Sequence, residues 1–225
     1  MRLRFQLVLL LLALPVNAQV VDRMVAVVNK RVVLESELEQ TTRVECLVQG
    51  KTLEKLTPAD TASVLERLID RSLLQQQIMN GADLDPAPEE VAAQLKELRA
   101  QLPSAANDDG WKALLSSYGL SQGDVEDYFI VQSRIMRFVD LRFRGLVRVD
   151  KIAIRAYYEQ RLLPQLRQRG APEPPLAEVS DRIEKILVEQ SIDEMMGRWL
   201  ETLRAQAHIE KIALPGASVA GGARP

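Results

Sequence analysis

The fold is set by residues 20–34, which read VVDRMVAVVNKRVVL. Runs rich in β-branched valine flank Asn29-Lys30, and a two-residue connection containing Asn between such runs predicts a β-hairpin. The first run is almost continuously apolar, which predicts a strand that is covered on both faces. An isolated hairpin is only marginally stable in water, so this hairpin needs a third strand.

The one good candidate for that third strand is residues 208–214, close to the other end of the chain. We therefore predict that the two ends of the mature chain meet in one small sheet. This arrangement would tie the long last helix, expected over residues 176–205, back onto the first helices of the chain.

The residues between the two ends predict helices with clear capping signals. Thr57 and Ser121 are the expected N-caps of two helices, and each is followed three residues later by an Asp that suits the positive end of the helix dipole. Ser36 with Glu39 matches the capping-box pattern for the first helix. Asp150 is expected to cap a helix in the second half of the chain.

These elements predict a mainly α-helical fold with a small terminal β-sheet, organised as a single core over residues 19–214. Residues 20–149 contribute the hairpin and the first helices, and residues 150–214 contribute the last helices and the closing strand. Residues 215–225 are rich in Gly, Ala and Pro, which predicts a disordered tail.

The first eighteen residues have the pattern of a secretory signal peptide. Arg2 and Arg4 precede an unbroken apolar run at residues 7–14, which is too short to cross a bilayer. Small residues before Gln19 suit cleavage after Ala18, so we expect export to the periplasm. An uncleaved membrane anchor is the alternative.

Charge and rare residues disfavour several classes of function. Removal of residues 1–18 takes away two of the 29 basic residues and none of the 31 acidic ones, which leaves a net charge of −4 and disfavours nucleic-acid binding. Cys46 is the single cysteine, so the chain has no internal disulfide. His208 is the single histidine, which disfavours His-dependent triads and His-rich metal sites. We therefore expect no catalytic residues, no metal and no cofactor.

Cys46 and His208 each admit two interpretations. Cys46 is either a redox-sensitive thiol or an inert helix residue, and reactivity requires an exposed, electropositive setting. His208 is either a pH switch or a structural residue of the closing strand.

Several stretches follow one another in a distinctive order: residues 21–29, 32–38, 65–70, 154–159 and 208–212. This order resembles the SurA family of periplasmic chaperones, over roughly residues 20–214. Members of that family usually carry one or two parvulin-type prolyl isomerase domains before the C-terminal helix. Residues 150–179 are too short for such a domain, and the paired histidines of a parvulin site are missing.

The resemblance implies a chaperone core without an isomerase. It implies ATP-independent binding of unfolded or partly folded envelope polypeptides, including outer-membrane β-barrel proteins, without stable insertion into the membrane. Because a terminal strand can pair within one chain or between two, we expect a monomer or a domain-swapped dimer. A non-catalytic interaction or scaffold subunit of one envelope complex is the alternative function.

Binding of unfolded chains without ATP requires exposed and adaptable apolar surface, for which flexible methionine is well suited. Seven side chains are candidates for contacting clients: Met136, Phe138, Phe143, Tyr157, Met195, Met196 and Trp199.

Packing in the core is the alternative for each of these candidates. Met195, Met196 and Trp199 have helical spacing, at which such residues are usually buried. Phe138 and Leu141 lie off the main apolar stripe of their helix, so this helix either has a binding edge or is covered by other helices on two sides. Tyr157 and Tyr158 either offer their rings to clients, or one ring packs in the core and the other covers it while half exposed.

Overall fold

The computed structural model describes residues 22–78 and 84–212 of the 225-residue chain. The expected signal peptide at residues 1–18, the segment 79–83 and the expected tail at residues 215–225 lie outside these described residues.

The described residues form a small sheet and a set of helices. The strands are β1 (Met24–Val28), β2 (Arg31–Leu34) and β3 (Ile209–Lys211). The helices are α1 (Glu35–Val48), α2 (Pro58–Gln77), α3 (Pro88–Gln101), α4 (Asp108–Tyr118), α5 (Gln122–Phe143), α6 (Lys151–Tyr157), α7 (Leu163–Gln168) and α8 (Leu176–Gln206). The predicted mainly α-helical fold class with a small terminal sheet is confirmed.

The sheet joins the beginning and the end of the described chain. Its strand order is β2-β1-β3, and both pairings are antiparallel. Val25, Ala26 and Val28 in the central strand β1 are all buried, as expected for a strand covered on both faces. The predicted closing strand is therefore present, although it ends at Lys211, and residues 213–214 lie outside the described part.

Asn29 forms the turn between β1 and β2 and also holds β3 in place. Its backbone φ is +58°, a left-handed conformation that Asn tolerates better than most residues. Its backbone N–H donates to the His208 carbonyl at 2.7 Å, and its side-chain oxygen accepts from the His208 backbone N–H at 2.9 Å. A single turn residue therefore fixes the hairpin and the register of the closing strand.

The predicted caps of α2 and α5 are confirmed, whereas the predicted cap of α1 is wrong. Thr57 and Ser121 each exchange hydrogen bonds with an Asp three residues later. The first helix instead begins at Glu35, because the Arg23 carbonyl accepts from the Glu35 N–H at 2.7 Å and the Asp22 carboxylate accepts from the Ser36 N–H at 3.2 Å. The segment before β1 thus supplies the cap that was expected from within the helix.

Among the residues that the structure describes, the apolar core forms three clusters. The first joins the sheet to α1 and α2 and is covered by the end of α8. The second surrounds Trp111 and is built from α1, α3, α4 and α5. The third joins α2, α5 and α8 through Leu74, Ile135, Val139 and Ile192, among others. This third cluster positions the candidate site.

Ion pairs attach the C-terminal end of α8 to α2. Arg204 donates to the Glu66 carboxylate at 3.0 Å and to the Asp70 carboxylate, and Lys211 in β3 also contacts Glu66. The long last helix is thus tied back onto the N-terminal helices, as the pairing of the chain ends predicted.

Candidate functional site

A groove of about 730 Å³ lies between the C-terminal half of α5 and the middle of α8. Its size is within the range of pockets that bind ligands in proteins. Its apolar lining comes from Leu84 before α3, from α5 and from α8: Leu84, Ile135, Met136, Val139, Leu141, Ile192 and Met196.

The groove has a buried floor and exposed edges. Ile135, Val139 and Ile192 belong to the third core cluster and are less than a tenth exposed. Met136 and Leu141 are 71% and 72% exposed, so both side chains stand in solvent beside this floor. Large apolar side chains that stay in solvent next to a concave apolar floor are typical of a surface that binds other molecules.

Charged side chains surround the groove, and most of them are already paired within the protein. Arg137 donates to the Asp85 carbonyl at 3.0 Å and to the Glu90 carboxylate, which ties α5 to α3 and the segment before it. Arg144 donates to Glu189 on α8 at 2.7 Å and to Asp140. These hydrogen bonds, from Glu189 first and then Asp140, raise the pKa of Arg144 above its usual value.

Both arginines of the rim are engaged by acidic or carbonyl groups of the protein. Arg144 pairs with Asp140 on α5 and with Glu189 on α8, so it links the two helices at the rim, and the third core cluster joins them below it. The exposed apolar side chains Met136 and Leu141 are not engaged in this way.

Aromatic rings from both helices pack together in the same core cluster. Trp199 on α8 is half-buried, and its ring centroid lies 5.7 Å from that of Phe143 in an edge-to-face arrangement and 6.0 Å from that of Phe138. The guanidinium of Arg142 lies 4.3 Å from the Trp199 ring centroid, a cation–π contact. These contacts fix how α8 sits against α5.

The structure separates the seven predicted client-binding residues into different environments. Met136 and Met196 line the groove together, although they are sixty residues apart in sequence. Phe143 is 7% exposed and belongs to the core, so the expectation that it contacts clients is replaced by its alternative of packing between helices.

The remaining candidates are half-buried. Phe138, Met195 and Trp199 do not line the groove; Trp199 and Met195 pack against its supporting cluster, and Phe138 contacts Trp199. Tyr157 lies on α6, outside the groove lining, and Tyr158 beside it donates its hydroxyl hydrogen to the Pro174 carbonyl at 2.7 Å.

Leu84 and Ile192 line the groove but were not singled out in the sequence, whereas Leu141 was weighed as part of a possible binding edge of its helix. A signal for Leu141 existed, because it lies off the main apolar stripe of its helix and so faces away from the side that packs. No such signal existed for Ile192, which resembles any core residue of a long helix until the position of α5 is known.

A second depression, of about 850 Å³, lies around α4 and the start of α5. Its apolar members Trp111, Leu115 and Leu120 are all buried, and its remaining lining is mostly polar. It therefore offers no exposed apolar side chain, in contrast to the groove between α5 and α8.

The single cysteine and the single histidine both lie outside the groove. Cys46 is buried in α1, and burial raises the pKa of its thiol, which favours the interpretation as an inert helix residue. His208 is exposed and is held through its backbone by Asn29.

Residues 22–78 and 84–212 contain neither a metal-binding cluster nor a membrane-spanning helix. Among them, no three His, Cys, Asp or Glu side chains are grouped so that they could hold a metal ion. Within the same residues, no helix has both the length and the apolar character needed to cross a bilayer.

No protein-family model matches the sequence, and no curated protein matches it.

Proposed function

We propose that this chain is an ATP-independent periplasmic chaperone of the SurA type, without an isomerase domain, that holds unfolded envelope polypeptides. The observation that carries the proposal is the groove between α5 and α8, where Met136 and Leu141 remain largely exposed beside a buried apolar floor. The signal-peptide pattern at residues 1–18 and the order of SurA-like stretches support the compartment and the class.

The groove suits binding that is reversible without a nucleotide. An apolar client side chain that becomes fully buried contributes about 1.5–3 kcal/mol, and association costs at least about 4 kcal/mol in lost freedom of motion. Only a few client side chains fit into a groove of about 730 Å³. The resulting affinity is modest, so a client can leave by its own folding or by transfer to another protein.

Methionine makes the same groove adaptable to different clients. Met136 and Met196 have unbranched, polarisable side chains that fill irregular gaps. The floor formed by Ile135 and Val139 stays fixed, because it is part of the core that joins α5 to α8. A rigid floor with flexible edges fits varied apolar segments better than a fully rigid pocket does.

The proposal is tested by the aggregation of an unfolded outer-membrane β-barrel protein diluted from urea. We expect the purified protein to slow the rise in light scattering. The double variant Met136→Ser and Leu141→Ser should bind unfolded peptides at least about tenfold more weakly, since two apolar contacts are lost. Its stability should change little, because both side chains are exposed.

Ile152→Ser is the matched control for this experiment. Ile152 is 78% exposed on α6 and does not line the groove, so this variant should protect clients as well as the wild type. A wild-type protein that neither slows aggregation nor binds unfolded peptides would contradict the proposal. Equal losses in Ile152→Ser and the double variant would contradict the placement of the site.

A scaffold subunit of one envelope complex is a second candidate function. It is favoured by the ion-paired rim, since Arg137 and Arg144 hold the groove in one shape that suits a single folded partner. Such a subunit would form a stable complex with one envelope protein in gel filtration and would ignore unfolded peptides. Neither function includes catalysis, and an isomerisation assay on a Xaa-Pro peptide should detect no activity.

A further inference from the structure

The chain from the end of α5 through α6 combines positive charge with apolar side chains that stand in solvent. Residues 141–161 contain six basic and two acidic residues, whereas the mature chain expected after cleavage has a net charge of −4. In the same stretch, Leu146 and Ile152 are 68% and 78% exposed. Neither side chain lines the groove between α5 and α8 or the depression around α4. This stretch therefore presents charge and apolar surface outside the proposed client site.

The local backbone directs these apolar side chains away from the core. Val147 has an extended backbone and packs against the third core cluster, so its neighbours Leu146 and Arg148 point outward and are exposed. On α6, Ile154 is buried, and Ile152 lies about 200° away from it around the helix. Leu146 and Ile152 are six residues apart, so their Cα atoms lie within about 22 Å of each other.

Three exposed basic side chains accompany the two apolar ones, and none of them forms an ion pair with a carboxylate of the described residues. Lys151 and Arg155 lie one turn apart on the same side of α6. Arg148 donates from Nη1 to the Gly145 and Val147 carbonyls at 3.2 and 2.9 Å, and neither acceptor carries a charge that would balance it. We name this surface the α6 patch, and it consists of five residues: Leu146, Arg148, Lys151, Ile152 and Arg155.

Two acidic residues lie close to the α6 patch along the chain. Asp150 accepts a hydrogen bond from the Ala153 backbone N–H at 2.7 Å, so the N-terminal end of α6 partly balances its charge. Glu159 follows Arg155 by four residues and is exposed, so it offsets part of the positive charge. Arg161 is also exposed and adds a positive charge beyond it. The patch and its surroundings therefore stay positive.

The chemistry of the α6 patch fits the surface of an anionic bilayer. Basic side chains beside exposed apolar ones are typical of peripheral membrane binding, in which the cations contact lipid phosphates and the apolar groups enter the headgroup layer. An anionic surface repels the rest of this acidic chain, which favours one orientation of the protein. The expected export would bring the chain next to the membranes of the envelope.

We propose that the α6 patch docks the protein onto membrane surfaces that contain anionic lipid. Arg148, Lys151 and Arg155 contact lipid phosphates, and Leu146 and Ile152 enter the headgroup layer. The patch residues do not line the groove between α5 and α8, so docking leaves that groove unoccupied. The proposal goes beyond client binding and does not depend on it.

Sedimentation with lipid vesicles tests the proposal on the purified mature protein. We expect binding to phosphatidylcholine vesicles that contain phosphatidylglycerol, and binding at least about tenfold weaker to vesicles of phosphatidylcholine alone. Raising the salt concentration should weaken the binding to the anionic vesicles, because salt screens exposed charges.

Two double variants test the two parts of the patch. Leu146→Ser with Ile152→Ser loses the apolar contacts, and Arg148→Gln with Lys151→Gln loses two cations. Each should bind anionic vesicles at least about tenfold more weakly than the wild type. All four side chains are exposed, so both double variants should keep the melting temperature of the wild type and its protection of clients in the absence of lipid.

Lys96→Gln with Lys112→Gln is the matched control for the charge variant. Both lysines are exposed, on α3 and α4, and their loss changes the net charge equally, so this variant should bind vesicles almost as the wild type does. Glu159→Gln should bind a few-fold more tightly, since it removes a negative charge beside the patch.

Several outcomes would overturn the proposal. They are absence of binding to anionic vesicles, unchanged binding in both patch variants, or an equal loss of binding in the lysine control. If polyglutamate binds through the patch and anionic vesicles do not, the partner is an acidic polypeptide and the membrane proposal is wrong. Clients that are still protected from aggregation in any of these cases would show that only this inference fails.

Discussion

Glu45 on α1 is a carboxylate that the fold buries, and Arg67 on α2 compensates its charge. Arg67 Nε donates to Glu45 Oε2 at 3.1 Å, and Arg67 Nη2 contacts the same oxygen. Glu45 is 8% exposed, whereas the Arg67 side chain is about half exposed. The hydrogen bond to Glu45 raises the pKa of Arg67 above its usual value. Without Arg67, the Glu45 carboxylate would remain desolvated and uncompensated.

Arg67→Met is therefore expected to lower the free energy of unfolding by about 2 kcal/mol, less than for a fully buried pair because Arg67 reaches solvent. Urea unfolding followed by circular dichroism measures this loss. Arg43→Met is the control, since it removes an exposed pair with Glu39 on the same helix and should cost less than about 0.5 kcal/mol. Equal losses in the free energy of unfolding for the two variants would show that burial of Glu45 does not strengthen its ion pair with Arg67.

At the scale of an element, α1 shows how a helix can be capped from outside itself. Its first N–H groups are satisfied by the Arg23 carbonyl and by Asp22, which also accepts from the Ser36 hydroxyl. This side-chain hydrogen bond from Ser36 lowers the pKa of Asp22 below its usual value of 3.8. Glu39, the partner expected from the capping-box pattern, instead pairs with Arg43.

Asp22→Ala should therefore lower the melting temperature more than Glu39→Ala does, because only Asp22 satisfies N–H groups of the helix end. Differential scanning calorimetry on both variants measures the two shifts. A larger fall in melting temperature for Glu39→Ala would support the capping box that the sequence pattern predicts. It would contradict the contact between Asp22 and Ser36.

For the whole molecule, Glu66 is where three distant parts of the chain meet. It lies on α2 and accepts hydrogen bonds from Lys211 in β3 and Arg204 in α8. Burial alone would raise the pKa of Glu66, but the hydrogen bonds from Lys211 and Arg204 outweigh it and keep the pKa below the usual value of 4.5. A carboxyl whose pKa is lower in the folded state stabilises that state above its unfolded pKa and loses this effect as the pH falls.

We expect Glu66→Gln to be less stable than the wild type at neutral pH, and the difference to shrink as the pH falls from about 5 to about 3. Thermal unfolding across this range measures the change. Glu97→Gln on the exposed face of α3 is the control and should follow the wild type at every pH. A Glu66→Gln deficit that stays constant down to low pH would show that the ion pairs do not stabilise the closure of the chain ends.

Local sequence patterns were sufficient where the interacting groups are close along the chain. Thr57 and Ser121 cap their helices as predicted, because each bond joins residues three positions apart. The hairpin follows from the Asn29 turn between two β-branched runs, and the closing strand follows from the need of that hairpin for a third partner.

The candidate site was predictable only in part. Met136 and Met196 were identified from their chemistry, and both line the groove. Phe143 was identified by the same reasoning, yet it is buried, because its side of α5 faces Trp199 on α8. The periodicity of α5 locates an apolar stripe. It does not show which residues of α5 are covered by α8, which lies about fifty residues further along the chain.

Local patterns in the chain were thus enough to predict its helices and the caps of α2 and α5, and the pairing of its two ends was inferred from the need of the hairpin for a third strand. Tertiary packing alone decided which apolar side chains stayed in solvent and that Asp22 caps α1. The physical reason is the distance along the chain over which each kind of interaction acts. Backbone hydrogen bonding and capping act within a turn or two, whereas burial and charge pairing depend on elements that only the folded chain brings together.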